Sequence, residues 1–298
     1  MSITATRFAT QLRTWLLIAA LTALLIAIGG AIGGGALYVF VVLAVLMNVA
    51  GYWFSDRIAL AAGRARPVKP GELPELEAAV EDLADRAGVP VPRLFLIPSD
   101  QPNAFATGRN PSHAAVAVTQ GLLFQLSEEE VTGVLAHEFG HIKNRDILVS
   151  SIAAMIAGVV SAIANVLQLS FLFGSDEQDN PLGLVGSLAA MILAPLGAAL
   201  LQLGVSRQRE YLADATAARL MGRAAPLADA LESIERSQAP ALDVDPVTAP
   251  MYIANPLSGA PMTALFSTHP PVKERISRLR AYDRREARSP ATPRPASV

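Results

Sequence analysis

Long stretches without a charged residue alternate along the chain with mixed polar and apolar segments. The first stretch runs from Thr14 to Ser55, about twice the ~20 residues that one membrane-spanning helix needs. A glycine cluster at 29–35 interrupts it and favours a tight turn. The pattern therefore predicts a hairpin of two membrane-spanning helices, near 14–31 and 36–54. A cleaved signal peptide is the alternative, but a second apolar run follows with no polar segment between.

A second pair of charge-free stretches, 147–174 and 181–206, surrounds the acidic separator 175–180. Several polar residues lower the hydrophobicity of this pair, and long apolar helices also occur in protein cores. Both membrane insertion and burial in a protein core are therefore possible for it. The separator has no lysine or arginine, whereas the outer flanks of both pairs are basic. Because cytoplasmic loops carry the excess of basic residues, four spans are predicted, with the N-terminus, 56–146 and 207–298 on the cytoplasmic side.

The mixed segments show the periodicities of helices and short strands. Apolar residues at helical spacing predict an amphipathic helix over 72–86. Ser127-Glu128-Glu129-Glu130 is a capping-box pattern that opens another helix. Short apolar runs bounded by turn residues predict three strands, at 93–97, 103–106 and 114–119. Further helices are predicted at 207–221, 227–237 and 271–285, with a proline-rich loop at 239–263. The fold class is therefore α+β, mostly α.

Composition narrows the class of protein. Apolar residues make up 52% of the chain and charged residues 17%, whereas soluble domains carry roughly 25% charged residues. The formal net charge of −2 is too small to indicate nucleic-acid binding. The chain has no cysteine, so disulfides and thiolate ligands are excluded. A metal ion in this protein must be bound by histidine or carboxylate side chains.

Half of the four histidines lie in one five-residue motif, His137-Glu138-Phe139-Gly140-His141. Positions i and i+4 of a helix share one face, so both imidazoles can bind one ion. The carboxylate of Glu138 can then reach a water molecule at that ion and act as a general base. The alternative is a solvated surface helix, which fits poorly because the neighbouring helix positions are mostly apolar. The motif therefore predicts a zinc site.

A catalytic zinc ion takes three protein ligands and keeps one position open. Candidates for the third ligand are Glu210, Asp214, His113 and His269. Glu210 is favoured because Glu210 and Asp214 are again spaced i, i+4 on a predicted helix. One carboxylate can bind zinc while the other accepts the distal N–H of a ligating histidine. A solvated helix face with Arg–Glu pairs is the alternative for these two residues.

These motifs resemble the HtpX-type heat-shock metalloproteases of bacterial inner membranes, relatives of the CAAX prenyl endopeptidases and of other gluzincin proteases. The resemblance spans roughly residues 10–285. It is carried by three segments: His137-Glu138-Phe139-Gly140-His141, Glu210-Tyr211-Leu212-Ala213-Asp214, and Asn103-Ala104-Phe105-Ala106-Thr107-Gly108. It implies one zinc ion per chain, held by His137, His141 and Glu210, with Glu138 as general base. Asp214 would orient a ligating histidine, and Asp146 would have a structural role.

The resemblance also implies a domain organisation. A helical transmembrane anchor would accompany a gluzincin-like catalytic domain built from 56–146 and 207–285. The anchor would comprise the hairpin 1–55 and the second apolar pair 147–206, and 286–298 would be a disordered tail. The implied task is cleavage of misfolded or damaged membrane proteins, or of unfolded polypeptides. It would take place at the cytoplasmic side of the bacterial inner membrane.

Two weaker features leave alternatives open. Asn103, Ala104, Phe105 and Ala106 would form an edge strand to which a substrate adds as a further β-strand, or they form an ordinary core strand. His269 precedes two prolines and would stabilise the oxyanion of the transition state, or it caps or packs a helix.

Two other classes of protein are alternatives to a protease. A membrane scaffold with a structural zinc ion would need a fourth ligand, from His269 or Asp214. A channel or transporter is disfavoured because the charge-free stretches contain no charged residue to line a pathway. A site with three protein ligands and an open position favours a catalytic zinc ion, and therefore a protease.

Overall fold

The computed structural model describes residues 33–149, 151–152, 207–237 and 270–286, and scattered positions between 12 and 30. Most of the predicted second apolar pair, the loop at 239–263, His269 and nearly all of the predicted tail lie outside the described residues. In chain order the elements are α1 (Ala36–Ala62), β1 (Arg66–Pro67), α2 (Pro74–Ala87), β2 (Arg93–Ile97), β3 (Ala104–Thr107), a 3-10 turn (Pro111–His113), β4 (Ala115–Thr119), α3 (Gln120–Gln125), α4 (Glu128–Asn144), α5 (Arg207–Met221), α6 (Ala225–Arg236) and α7 (Val272–Glu286).

The four strands form one mixed sheet in the order β1-β2-β4-β3. β2 and β4 are parallel, and β1 and β3 are antiparallel to their neighbours. Between β3 and β4 the chain reverses at Gly108, whose φ of 135° is a conformation that favours glycine. A Cβ atom at this position would lie 2.4 Å from the carbonyl oxygen of His113. β3 is therefore held at the edge of the sheet, beside α4.

Helices α2, α4, α5, α6 and α7 contribute to one hydrophobic core together with residues of the sheet. The predicted amphipathic helix is confirmed as α2, which has Pro74 in its first turn and ends at Gly88 in the left-handed conformation. Its apolar positions Leu76, Val80 and Leu83 are all buried. Each such side chain stabilises the fold by roughly 1.5–3 kcal/mol. The core therefore fixes how α4 and α5 cross, which matters for the site.

Helix α1 contributes to a second, smaller core cluster. Ala59 and Leu60, near its C-terminal end, pack with sheet residues that include Ile97 and Phe105. The predicted end of this helix near residue 54 is wrong: the helix continues to Ala62, because the polar residues after 54 do not interrupt it and only Gly63 caps it. The boundary proposed between residues 55 and 56 therefore falls inside one helix.

The N-terminal half of α1 carries exposed apolar side chains. They are Leu37, Tyr38, Val39, Val41, Val42, Leu43, Val45, Leu46 and Val49. The described part of the preceding segment packs against this helix: Gly29 lies close to Phe40, and the Asn48 side-chain amide donates a hydrogen bond to Thr22 Oγ1 at 2.7 Å. Among described residues no single helix is long and apolar enough to span a bilayer. Two segments of α1, Leu37–Ala50 and Tyr52–Ala62, are together long and apolar enough to span a bilayer, but they meet at a 75° bend.

The predicted fold class agrees with this architecture, which is mostly helical with a small mixed sheet. All three predicted strands are present, with boundaries within a residue or so. β1 was not predicted, because two residues that include a proline carry no periodicity of their own. It pairs antiparallel with β2, with Arg66 opposite Leu96.

Candidate metal centre

Helix α4 carries His137, Glu138 and His141 in its C-terminal half. The predicted capping box is confirmed: the Ser127 side chain accepts a hydrogen bond from the Glu130 N–H, and the Glu130 carboxylate accepts one from the Ser127 N–H. These bonds fix where the helix begins. The two imidazole rings then lie on one face with centroids 4.7 Å apart. His137 is 1% exposed and Glu138 is 5% exposed, so the motif lies inside the protein.

Helix α5 brings the carboxylate of Glu210 against both imidazoles. His137 Nε2 lies 3.5 Å from one Glu210 oxygen, and His141 Nε2 lies 3.6 Å from the other. The two Nε2 atoms are 3.1 Å apart. Ligand atoms at tetrahedral positions around an ion, with bonds of about 2.1 Å, lie about 3.4 Å from one another. The three side chains could therefore hold one metal ion, and their donor set suits zinc.

Both imidazoles are oriented by further carboxylates at the opposite ring nitrogen. His137 Nδ1 lies 2.9 Å from Asp214 Oδ1, and His141 Nδ1 lies 3.1 Å from Asp146 Oδ1. An ionised carboxylate only accepts hydrogen bonds, so each Nδ1 carries the proton and donates it in the hydrogen bond to its aspartate. Each Nε2 is thereby left to face Glu210. Nitrogen and oxygen atoms from three side chains converge there, and the arrangement favours a positive charge at its centre, whether a proton or a metal ion.

Electrostatics in this pocket favour the protonated form of the His141 imidazole and the ionised form of Asp214. Burial alone lowers the pKa of His141, but the carboxylates of Asp146 and Glu210 outweigh it and raise that pKa to about 10. Burial alone raises the pKa of Asp214, but the guanidinium of Arg275 and the imidazole of His137 lower it to about 2. Asp214 therefore remains an anion that accepts the His137 Nδ1–H.

Glu138 faces the edge strand of the sheet instead of the three converging side chains. Its Oε2 accepts a hydrogen bond of 2.7 Å from the Ala106 N–H in β3. Burial raises the pKa of its carboxyl above the ordinary value. A carboxylate with a raised pKa is a stronger proton acceptor. The arrangement thus joins a buried carboxylate, an edge strand and three side chains that could hold a metal ion within one pocket.

Helices α4 and α5 approach each other closely because both have small residues where they cross. A Cβ atom on Gly140 would lie 2.9 Å from Ala213 Cα and 3.0 Å from its carbonyl oxygen. Gly133, two turns earlier on α4, makes a similar approach to α6: its Cβ atom would lie 2.7 Å from Leu227 N. The two glycines therefore hold α4 against different neighbours, and of the two only Gly140 faces α5, the helix that carries Glu210.

We expect Gly140→Val to weaken metal binding at least about tenfold, because it pushes Glu210 away from the imidazoles and small displacements in such sites are costly. Gly133→Val is the control, since it creates a comparable clash against α6. Both variants should lower the free energy of unfolding by about 1–3 kcal/mol. Zinc affinity measured by chelator competition separates the two effects. Equal losses of affinity in both variants would contradict this account.

The other sequence-predicted site residues lie in different surroundings. Asn103 directly precedes β3, and residues 103–106 are all buried. β3 is an edge strand of the sheet, next to α4. His113 is exposed and its Nδ1 contacts Asn110 in the turn before β4. His269 lies outside the described residues, so its predicted role stays a prediction.

Two further polar residues line the pocket, and one of them, Arg275, was missed from the sequence. Asp146, for which a structural role was expected, is buried against His141. Arg145, left-handed with φ of 60°, turns the chain back so that Asp146 reaches the ring. Arg275 is fully buried in α7 and binds Asp214. The spacing of Asp146 from His141 was a usable signal, but nothing in the sequence distinguishes Arg275 from the other arginines of its helix.

Two histidines one helical turn apart, a carboxylate from a second helix and a buried glutamate next to the first histidine in the chain are the arrangement of a metallopeptidase centre. Comparison with known proteins agrees. The family model described as Peptidase family M48 matches residues 70–283. The chain is 51% identical over 278 residues to the protease HtpX homolog of Syntrophobacter fumaroxidans, covering 91% of this chain and 99% of that relative.

A second relative gives the same family. The protease HtpX homolog of Pelotomaculum thermopropionicum is 49% identical over 277 residues, covering 91% of this chain and 98% of that relative. The crystal structure of S. mikatae Ste24p matches 92% of this chain and 67% of that chain, at 23% identity and a TM-score of 0.49. This chain belongs to peptidase family M48 and is a metalloendopeptidase. The resemblance inferred from its motifs is confirmed.

Proposed function

We propose that this protein is a membrane-integrated, zinc-dependent endopeptidase that cleaves misfolded or damaged membrane proteins at the cytoplasmic side. The observation that carries the proposal is the convergence of His137, His141 and Glu210 on one point inside the protein, with Glu138 beside it. Three protein ligands that leave a position for water are typical of catalytic zinc, whereas structural sites are closed by a fourth ligand. One zinc ion per chain follows from this ligand set.

The chemistry is divided among the side chains of the pocket. Zinc, when bound, supplies Lewis acidity that polarises the scissile carbonyl and makes water acidic enough to be deprotonated near neutral pH. Glu138 takes the proton from the attacking water and passes it to the leaving amine. Asp214 and Asp146 hold the imidazoles with Nε2 toward the ion. We keep His269 as a candidate for stabilising the oxyanion.

Strand β3 is the proposed site of substrate capture. The Asn103 carbonyl accepts a hydrogen bond from the Thr119 N–H in line with β4. Antiparallel pairing alternates along a strand, so Ala104 and Ala106 direct their backbone groups away from β4. One of these groups, the Ala106 N–H, already meets Glu138. An extended polypeptide pairing along this edge would lie beside the base, and recognition would depend on the backbone more than on sequence.

The membrane assignment rests on α1 and on the charge pattern. Its N-terminal half exposes nine large apolar side chains, whereas the exposed apolar residues of soluble proteins are usually scattered singly. Basic residues precede the first apolar pair and follow both pairs. Because basic flanks are typical of cytoplasmic segments, this pattern favours a catalytic domain on the cytoplasmic side of the bacterial inner membrane. Substrates embedded in the same bilayer would then meet the site close to the membrane surface. Quality control of membrane proteins is the task that this placement suits.

We expect cleavage only on the cytoplasmic side. The test uses single-span reporter proteins that carry the same unfolded segment next to the membrane, on either the cytoplasmic or the outer side. Cells expressing this protein should cut the first reporter and leave the second intact, because only the first reaches the pocket. Cleavage is read from fragment size, with the Glu138→Gln variant as the background control.

The orientation of the protein in the membrane can be measured in the same cells. A compartment-sensitive reporter fused near Asp179 should report a location outside the cytoplasm, since the acidic separator lacks the basic residues of a cytoplasmic loop. A cytoplasmic signal at this position would remove the second hairpin from the proposal. Cutting of the outer-side reporter would instead overturn the assigned side of cleavage.

A further inference from the structure

Arg275 has an unusual position for an arginine. It lies on α7, a helix rich in charged residues, yet it is the largest side chain of the described residues that is fully buried. Arg278, one turn further along the same helix, is mostly exposed and pairs with Glu274 on the surface. Arginine is almost never fully buried without a partner that compensates its charge. The partner of Arg275 therefore indicates why it is there.

Arg275 binds the carboxylate of Asp214 with two hydrogen bonds. Its Nη2 donates to Asp214 Oδ1 at 2.6 Å, and its Nε donates to Asp214 Oδ2 at 3.0 Å. This two-point contact fixes the position and the plane of the carboxylate, which a single bond would not do. Oδ1 is also the oxygen that lies 2.9 Å from His137 Nδ1. The same Nη2 also lies 3.3 Å from His137 Nδ1, but a guanidinium only donates hydrogen bonds, so the Nδ1–H is accepted by Asp214. Guanidinium, carboxylate and imidazole therefore form a series in which Asp214 is the middle member.

The series ends at the metal-binding side chains. With His137 Nδ1 committed to Asp214, its Nε2 faces Glu210 at 3.5 Å and His141 at 3.1 Å. A rotated or displaced carboxylate would let the imidazole turn or take the other tautomer, and either change misdirects the Nε2 lone pair. Arg275 has no need to touch the ion to affect it, because it holds the group that holds the ligand.

We propose that Arg275 is a positioning residue of the metal centre that acts through Asp214. The inference rests on the proposed metal site and adds a component from the C-terminal helix, 61 residues along the chain from Asp214. It follows that α4 and α5 alone do not complete the centre. The imidazole of His137 is held in its binding orientation only when α7 is docked and its guanidinium is in place.

The test is a double-mutant cycle on zinc affinity in the full-length protein, measured by competition with a chromophoric chelator. Arg275→Gln and Asp214→Asn should each raise the zinc dissociation constant about 10–100-fold. In the Asp214→Asn background, Arg275→Gln should change it by less than about threefold, since the carboxylate on which it acts has already been neutralised. Losses that multiply across the cycle would overturn the proposal.

Two further variants separate positioning from simple stability. Leu279→Ala removes a buried apolar side chain from the same helix, so it should lower the melting temperature without changing the zinc dissociation constant or the absorption spectrum of the cobalt-substituted protein. Arg275→Lys keeps the charge and loses the two-point contact, so it should still bind zinc more weakly than the wild type. Wild-type affinity in Arg275→Lys, or weakened affinity in Leu279→Ala equal to that of Arg275→Gln, would contradict the proposal.

The experiment also distinguishes this inference from the proposed function. His137→Ala should abolish zinc binding if the metal site is assigned correctly, and unchanged zinc content would remove the assignment itself. Loss of zinc in His137→Ala together with wild-type affinity in Arg275→Gln would leave the metal site standing and reject only the role of Arg275. If Arg275→Gln does not fold alone, the Arg275→Lys variant and the uncharged double variant with Asp214→Asn provide the comparison.

Discussion

Replacing Glu138 by glutamine is expected to lower kcat by about 10²–10⁴-fold, the usual contribution of general acid–base catalysis. Glutamine has nearly the same volume, and its side-chain oxygen can still accept the hydrogen bond that the Ala106 N–H now donates to Glu138. It cannot take up a proton from water. Zinc binding should persist, because Glu138 is not among the three converging side chains. Casein hydrolysis and zinc content, measured on the same purified sample, give both quantities.

Glu128→Gln provides a matched control for this loss. Glu128 lies in the first turn of the same helix, is exposed, and is far along α4 from the histidines. Its neutralisation removes a favourable interaction with the helix dipole worth about 0.3–1 kcal/mol and nothing in the pocket. Activity should therefore remain close to that of the wild type. If Glu138→Gln cleaved casein at the wild-type rate with zinc bound, the mechanism proposed for this site would be wrong.

Local signals in the sequence were sufficient for most of the described fold. The apolar spacing of α2, the apolar run and flanking proline of β2, and the capping box at Ser127 each depend on residues within or next to one element. Such signals survive in the folded protein because the core uses the faces that the pattern marks. The extent of α1 did not follow, since the polar residues after position 54 do not interrupt the helix, and Ala59 and Leu60 beyond them pack on the sheet.

The candidate site, like the fold, could be predicted only in part from local signals in the sequence. The i, i+4 spacings predicted that His137 and His141 share one face and that Glu210 and Asp214 share another. Which carboxylate meets the imidazoles at Nε2 and which at Nδ1 is set by the crossing of α4 and α5, where Gly140 meets Ala213. That crossing is a tertiary contact between segments far apart in the chain. A preference for Glu210 could be argued from the sequence, but its distances could not.

Arg275 marks the limit of sequence reasoning here. It is one of several arginines on α7, and the helix has no apolar pattern strong enough to show which of them turns inward. Its burial becomes visible only when α7 packs beside α5 and meets Asp214. A buried charge is recognised by its partner, and the partner lies in another part of the chain. The same holds for β1, which exists only through its pairing with β2.

Replacing Glu210 by alanine is expected to lower the zinc content from about one ion per chain to well below half of that. The variant leaves two imidazoles, and two protein ligands do not make a stable zinc site where three are the norm. Glu210 contacts both Nε2 atoms, at 3.5 Å and 3.6 Å, so no other described carboxylate replaces it without movement of α5. Metal analysis after dialysis against a weak chelator measures the effect directly.

Asp214→Asn, one turn further along α5, tests whether the two carboxylates have been assigned in the right order. Asp214 meets His137 only at Nδ1, so its loss should weaken zinc binding about 10–100-fold and leave the ion present at micromolar zinc. Asparagine also preserves an acceptor for the Nδ1–H. The expected order of zinc affinity is therefore wild type, then Asp214→Asn, then Glu210→Ala. Unchanged zinc content in Glu210→Ala, with loss in Asp214→Asn, would transfer the ligand role to Asp214 and place Glu210 outside the coordination sphere.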